Sequence, residues 1–358
     1  MSDPQEEFAR IREAIEAADR SLVEALDERS RAMRSLSALY ETDPDGYYAL
    51  PRDRAVIERA RERIEDFPST AIEPVFREIL AACDHILGPK TVAYVGPEGG
   101  FGHVAARRHF GAPAVLRAVD TVAAVIEEVA RGRVSFGVLP LETSSEGAIT
   151  ATLHGLAESD VKICAERVVP SSYHLFSRTG DTAQVDKVHG TAPAIAACEH
   201  NLRAHFPRAT IIDVASGEAA AQATRDDDAS AALGTDVVGE LYGLVPVRER
   251  MEDVAGIDIL HGIVGNDLPP RTGSDRTVLA MAVQDSPGAL YQALQPFANR
   301  GINLTRLESR PAIGKPWKYL FFVEMDGHVT ERSVLTAIDE LRDISRFVKI
   351  LGSHPRSS

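Results

Sequence analysis

Apolar residues recur at helical spacing from the start of the chain: Phe8, Ile11 and Ile15, then Leu22 and Leu26, then Met33 and Leu36. Neither Gly nor Pro interrupts residues 5–40, so the pattern predicts one long amphipathic helix, stopped by Asp43-Pro44-Asp45-Gly46. A second helix is predicted from Arg52 to about Ile64. A third follows Ser69 and Thr70, with Ile72, Val75, Ile79 and Ala82 on one stripe. The first helix is longer than a small domain is wide and leaves an apolar stripe uncovered in a single copy. A helical dimer is the expected remedy.

The period changes after the linker Gly88-Pro89-Lys90. Thr91–Val95 is a short β-type run ending in Gly96-Pro97-Glu98-Gly99-Gly100, and Val134–Leu139 is another, ending in Pro140. Strands and helices then alternate: strand Lys187–His189, helix 193–205, strand Thr210–Val214, helix 217–225, strand Ala229–Leu233, helix 236–243. This alternation predicts α/β units on a mostly parallel sheet. A second linker runs from Asn266 to Gly273. Strand 276–283, helix 288–300, strands 303–309 and 319–325, helix 331–343 and strand 345–351 then form a βαββαβ module of the ferredoxin-like type. The expected fold class is multidomain, with an all-α domain at 1–88, a two-lobed α/β domain at 90–266 and an α+β module at 272–353.

The 358 residues suit two or three domains, at about 100–200 residues each. A formal net charge of −14 argues against a phosphate-backbone partner, so no nucleic acid is expected. No apolar run approaches the ~18 residues that span a bilayer, and the acidic start is wrong for a signal peptide, so no membrane is expected. Cys83, Cys164 and Cys198 are too few and too scattered for a disulfide framework or a zinc site. A reducing cytoplasmic setting is expected, with no metal and no cofactor, since no ligand cluster or phosphate fingerprint occurs. An anionic substrate must then meet a local basic site.

The last module carries Gly288-Ala289-Leu290-Tyr291 and Glu308-Ser309-Arg310-Pro311. These resemble the phenylalanine-sensing ACT domain of prephenate dehydratases. The middle domain resembles the dehydratase domain itself: Gly96-Pro97-Glu98-Gly99-x-Phe101, Ser144-Ser145-Glu146-Gly147, Glu240-Leu241-Tyr242-Gly243-Leu244 and Glu252-Asp253 follow in order. The N-terminal helices resemble the helical chorismate mutase domain often fused in front. The resemblance implies prephenate as substrate, with phenylalanine as an effector at Gly288, Ala289, Leu290, Glu308, Ser309 and Arg310. Prephenate has two carboxylates and a ring hydroxyl, so its site should offer hydroxyls, backbone N–H groups and a cation. Thr143, Ser144 and Ser145 supply such a nest, although an ordinary N-cap cluster has the same composition. Glu98 and Gly99 are expected beside it, and Arg167 and Arg178 are candidate carboxylate partners.

Three departures bear on the reaction. The family's Thr-Arg-Phe triplet, whose threonine is held to protonate the departing hydroxyl, falls on Ile259-Leu260-His261, and the Asn before Ser-Ser-Glu-Gly is Thr143. The Thr and Ser flanking the glycine-rich turn are Gly100 and Gly102. General acid help is typically worth ~10²–10⁴-fold. The departures therefore point to a carbon lyase that decarboxylates prephenate without aromatising it, leaving a dihydro-4-hydroxyphenylpyruvate, with Glu146 or His261 giving the proton and Ser144 hydrogen-bonding. The alternatives are a dehydratase with a variant acid and a catalytically inactive phenylalanine-binding regulatory protein.

In the first domain, Arg12, Arg29 and Arg54 match arginines that hold chorismate carboxylates in the resembled mutases. Arg12 and Arg29 lie 17 positions apart, about 100° around one helix, so a shared site needs a partner chain. The mutase lysine falls on Tyr40, its glutamate on Ala55 and its glutamine on Leu87. A pericyclic step depends on stabilising the breaking ether bond. A degenerate mutase site in a homodimer or dimer of dimers is the expectation.

Overall fold

The computed structural model describes residues 4–40, 53–86, 88, 90–312 and 319–356. The chain forms two compact units, Met1–Lys90 with Phe110–Val115, and Thr91–His109 with Leu116–Ser358. The first unit is all helix: α1 (Pro4–Tyr40), α2 (Asp53–Arg63) and α3 (Ser69–Ile86). The 37 residues of α1 span about 55 Å at 1.5 Å per residue. Met33, Ile57, Ala60, Ile72, Leu80 and Cys83 are buried, whereas Phe8, Ile11, Ile15, Leu22 and Val23 are exposed in the single chain. The N-terminal half of α1 therefore leaves the predicted stripe uncovered.

The second unit begins with a lobe of β1 (Thr91–Val95), α4 (Phe101–Phe110), β2 (Val115–Val119), α5 (Val122–Ala130), β3 (Phe136–Thr143), β4 (Gly147–Ala148), α6 (Thr150–Glu158) and β5 (Lys162–Pro170). The chain crosses into a second lobe of β6 (His174–Ser177), β7 (Lys187–Gly190), α7 (Ala192–Ala197), α8 (Glu199–His205), β8 (Thr210–Asp213), α9 (Gly217–Asp226), β9 (Ser230–Gly234), α10 (Asp236–Tyr242) and β10 (Val245–Arg248). It returns to the first lobe through β11 (Asp258–Gly265). The C-terminal module is β12 (Asp275–Ala282), α11 (Ala289–Ala298), β13 (Leu304–Pro311), β14 (Tyr319–Asp326), α12 (Arg332–Ile344) and β15 (Phe347–Pro355). The multidomain helical, α/β and ferredoxin-like architecture is as the sequence implies.

Two features differ from the sequence pattern. The first-lobe sheet is mixed, because β11 runs antiparallel to both β3 and β5 while β1 and β3 are parallel. The helix predicted over 193–205 is broken at Cys198, a buried residue with φ −120° and ψ 10°. The break lets Asp253 cap the second piece, accepting the His200 and Asn201 N–H groups at 2.8 Å each. Its neighbour Glu252 accepts from Ser172 Oγ at 3.1 Å and from the Tyr173 N–H at 3.0 Å. The Glu-Asp pair thus ties together the two segments that join the lobes.

The C-terminal module is continuous with the first lobe. A ten-stranded sheet runs β13-β14-β12-β15-β5-β11-β3-β1-β2, with β4 hairpinned on β3. The junction is a parallel contact of Gly352 on β15 with Ile163 on β5. Lys162 Nζ donates to the Ile350 carbonyl at 2.9 Å, and Lys349 Nζ to the Ala157 carbonyl at 3.0 Å. One hydrophobic cluster joins Val125, Ile126, Leu153 and Leu156 of α5 and α6 to Leu139 of β3 and to Ala280, Phe322 and Leu351 of the module. The sheet closes over α6: His154 stacks on Phe322, and Thr152 Oγ1 donates to the Pro140 carbonyl at 2.7 Å.

A Cβ on Gly352 would lie 2.6 Å from both Ile163 Cβ and Ile163 O, closer than packed atoms approach. Gly352→Ala is expected to cost about 1–3 kcal/mol, read as a lower urea midpoint. An unchanged midpoint would show that the junction is not tight.

Candidate active site

The carboxyl ends of β1, β3 and β5 point the same way, as follows from their pairing directions, and they meet the second lobe there. That is where open α/β sheets build sites. The turn after β1 makes the meeting possible. Gly99 has φ +80°, and a Cβ there would lie 2.5 Å from Val238 Cγ2. A Cβ on Gly217 would sit 2.7 Å from the same methyl and 3.2 Å from the Glu98 carbonyl. Thr235 Oγ1 donates to the Gly99 carbonyl at 2.7 Å. The glycine-rich turn is thus a close approach between lobes rather than a phosphate cradle.

Around this turn the structure adds Tyr94 and His103, which the sequence pattern did not single out, to Glu98, Gly99 and Tyr242. The Gly99 N–H donates to His103 Nδ1 at 3.0 Å, and the His103 ring stacks on Tyr94 with centroids 5.1 Å apart. Burial, helped by nearby Arg107, pushes His103 down to about 4, so the ring is neutral at pH 7 and its proton sits on Nε2. Tyr242 donates to Glu98 Oε1 at 3.3 Å. Burial first, and the Glu98 charge second, push Tyr94 and Tyr242 up to about 12. The i, i+4 spacing of Gly99 and His103 at a helix start is the sequence signal that could have found His103.

Thr143–Gly147 forms a hairpin, not a helix cap. β4 pairs back on β3, with Thr143 opposite Gly147 and Glu142 opposite Ala148, and α6 starts only after Ile149. Thr143 Oγ1 accepts the Glu146 N–H at 3.1 Å, which leaves its own proton to donate. Ser144 is pinned reciprocally to the start of β11: its N–H donates to the Asp258 carbonyl at 2.8 Å, and its Oγ accepts the Asp258 N–H at 2.9 Å. Ser145 and Glu146 are exposed.

Strand register places the remaining candidates. Ile259 stands opposite Thr143 on one side and Val169 on the other, and His261 stands opposite Arg167. His261 is buried, and its Nδ1 meets no hydrogen-bond partner. Burial pushes it down to about 4, opposed by a hydrogen bond that the ring donates to the Ile259 backbone. At neutral pH it therefore donates only through one neutral N–H. Arg178 does not join the site. It is exposed, held by Asp228 at the start of β9, whereas the other end of β9 carries Gly234 and Thr235 toward the first lobe. Its charge is already spoken for by that carboxylate.

Between the lobes lies a cavity of about 190 Å³. Phe101, Val104 and Arg108 of α4, Pro170, Ser172 and His174 of the crossover, Thr235 and Asp236, and Arg250 line it. Arg108 pairs with Asp236. Arg250 has φ +55°, the one non-glycine residue with positive φ among the described residues, and its N–H donates to His174 Nδ1 at 3.4 Å. Strain of this kind is retained where the surroundings enforce it. The cavity and the hairpin share a strand end, since Asp258 is bonded to Ser144 and paired with Pro170.

In the module, Gly288 has φ +81° and opens α11, followed by Ala289 and the half-buried Leu290. Glu308, Ser309 and Arg310 lie on β13, where the ion pairs of Glu308 go to Arg306 and Arg310 rather than to α11. In the first unit Arg12 pairs with Glu16 at 3.6 Å, and Arg29 Nη1 is buried without a hydrogen-bond partner. The side chains of Tyr40, Arg54 and Ala55, and the whole of Leu87, lie outside the described residues. No group of three or more His, Cys, Asp or Glu side chains among the described residues is placed to hold a metal ion, and no helix among them is long and apolar enough to cross a membrane.

Three family descriptions match the chain: chorismate mutase type II over residues 11–86, prephenate dehydratase over 92–256, and the ACT domain over 277–343. The bifunctional chorismate mutase/prephenate dehydratase of Aquifex aeolicus is 34% identical over 98% of this chain and 99% of its own length. The chain belongs to this family. The bifunctional protein of Pseudomonas aeruginosa is 32% identical over the full length of both chains. A solved prephenate dehydratase from Arthrobacter aurescens, in complex with L-Phe, superposes with a TM-score of 0.63 at 32% identity, covering 74% of this chain and 90% of that one.

Membership corrects the expectation of a non-aromatising decarboxylase, because relatives that match along nearly the whole chain are named for dehydration. Read along β11, the Thr-Arg-Phe position has lost its hydroxyl; read across the pair, Thr143 stands opposite Ile259.

His103 and His261 yield a pH prediction. Unfolded histidines bind protons from about pH 6.5, whereas these bind only near pH 4. Between those values acid favours the unfolded chain, so stability should fall as pH drops from 6.5 toward 4. His261→Phe should flatten part of the slope in thermal melts. An unchanged slope would show that His261 is not buried neutral.

Proposed function

We propose that this chain is a prephenate dehydratase that converts prephenate to phenylpyruvate, carbon dioxide and water. The observation that carries the reading is the match to bifunctional relatives along the whole chain. The ring carboxylate leaves as carbon dioxide, and its electron pair moves through the ring and expels the hydroxyl opposite. The hydroxyl takes a proton and departs as water.

The interlobe cavity suits a dianion. Arg250 offers a guanidinium fork for a carboxylate, Arg108 stands beside it paired with Asp236, and Ser172 and His174 offer polar contacts. Thr143, with its proton free and its position opposite Ile259, is the proposed donor to the departing hydroxyl. Ser144, locked to Asp258, fixes that donor's place. Phenylalanine is the proposed effector at Gly288–Leu290 and Glu308–Arg310. The exposed stripe of α1 is the proposed dimer seam. For the first domain we propose weak chorismate mutase activity, since Tyr40 and Leu87 replace the expected lysine and glutamine.

Incubation with prephenate should yield phenylpyruvate, identified by ultraviolet spectrum and mass, above the uncatalysed background. A product that has lost carbon dioxide alone, or no turnover, would sink the reading. Thr143→Val should lower kcat by ~10²–10⁴-fold, and adding Ile259→Thr should restore part of it from across the strand pair. A doubly substituted enzyme no better than Thr143→Val would remove Thr143 from the role. Arg250→Ala should raise the prephenate KM about tenfold or more with a smaller change in kcat. Chorismate should turn over far below the ordinary ~1–10³ per second; an ordinary rate would show an intact mutase site.

A further inference from the structure

The strand β13 presents its charged face inward. Its exposure alternates so that Arg306, Glu308 and Arg310 are half-buried, while Leu307 between them is exposed. That inverts the usual half-buried strand, in which apolar residues face in. The inward charges meet the first lobe at two places. Arg306 pairs with Glu142, the residue before Thr143. Arg310 Nη2 reaches the Ala148 carbonyl at 3.4 Å, just after Gly147. Glu308 links the two guanidinium groups, at 3.2 Å from Arg306 and 2.7 Å from Arg310.

Glu142 and Ala148 are partners in the β3–β4 register, so they are the two feet of the Thr143–Gly147 hairpin. We propose that Arg306 and Arg310 are positioning residues that clamp both feet of this hairpin from the C-terminal module, so that the module sets the placement of Thr143. The inference rests on the dehydratase reading for its catalytic consequence and on geometry alone for the clamp. Two arginines and two carboxylates make a neutral network, and side-chain exposures of 18–29% shield it more than a surface pair. The hairpin has no covering helix cap of its own, since α6 begins without a side-chain cap. Any ligand that draws on Glu308 or Arg310 withdraws them from the clamp, which gives β13 a direct physical route to the substrate hairpin.

The test is Arg306→Ala, Arg310→Ala and Arg306→Lys in the full chain, each read twice. Amide hydrogen exchange in peptides covering 141–149 should quicken about tenfold or more in the alanine variants, while exchange in the strands of the second lobe stays at wild type. For prephenate, kcat should fall about tenfold in Arg306→Ala with KM changed less, because the clamp serves the donor rather than ground-state binding. Arg306→Lys keeps the charge without the fork and should lie between. Charge reversal, Glu142→Arg with Arg306→Glu, should recover part of the exchange protection. Wild-type exchange in both alanine variants overturns the clamp, whatever the activity. Wild-type protein inactive on prephenate overturns the dehydratase reading alone. Exchange that quickens over the whole second unit, with no recovery in the lysine or reversed variants, shows a general structural role and also overturns the proposal.

Discussion

Strand β15 can lie against β5 because Gly352 has no side chain where Ile163 needs the room. On that contact hangs the continuity of a ten-stranded sheet, and with it the shared core of α5, α6 and the C-terminal module. A module that sequence alone draws as an appendage beyond a linker is instead built into the first lobe. The closure of the sheet over α6 then returns its edge strand β13 to the hairpin at the end of β3. Without the junction, Arg306 and Glu142 would have no reason to meet.

The two lobes are held by a second constraint of the same kind. Gly99 and Gly217 crowd the Val238 methyl so closely that any side chain would push the lobes apart. The close approach brings Thr235, Glu98 and Tyr242 together and buries His103, whose neutral ring then organises the turn. The electrostatics follow from this packing. Desolvation keeps both His103 and His261 uncharged, so fixed positive charge near the cavity comes from arginine. Permanent arginine charge is suited to holding carboxylates over a wide pH range.

What the sequence shows and what it hides divide along the same line. The uninterrupted apolar spacing of residues 5–40 marks α1, and the βαββαβ order marks the C-terminal module, because both are local patterns. The glycine-rich turn, the Ser-Ser-Glu-Gly run and the Glu-Asp pair are equally visible as motifs. Their roles are not, because each is completed by a residue far along the chain: Gly99 by Val238, Ser144 by Asp258, Glu252 by Ser172 and Tyr173. The antiparallel return of β11 is non-local as well, and it sets which residues stand across from position 259. A substitution judged along one strand looks like a lost acid, whereas the register sets a hydroxyl directly across from it. Arg178 misleads for the converse reason: its sequence position near the lobe crossover does not reveal that Asp228 holds it at the far end of β9.

The central claim is that the C-terminal module and the first lobe form one cooperative body through β15 and β5. Native-state hydrogen exchange across a series of low urea concentrations tests it most directly. The account predicts that slowly exchanging amides of β12, β14 and β15 share one opening free energy, and one urea dependence, with those of β3, β5 and β11. A module that opens first, with a smaller free energy and its own urea slope while β3, β5 and β11 stay protected, would contradict it.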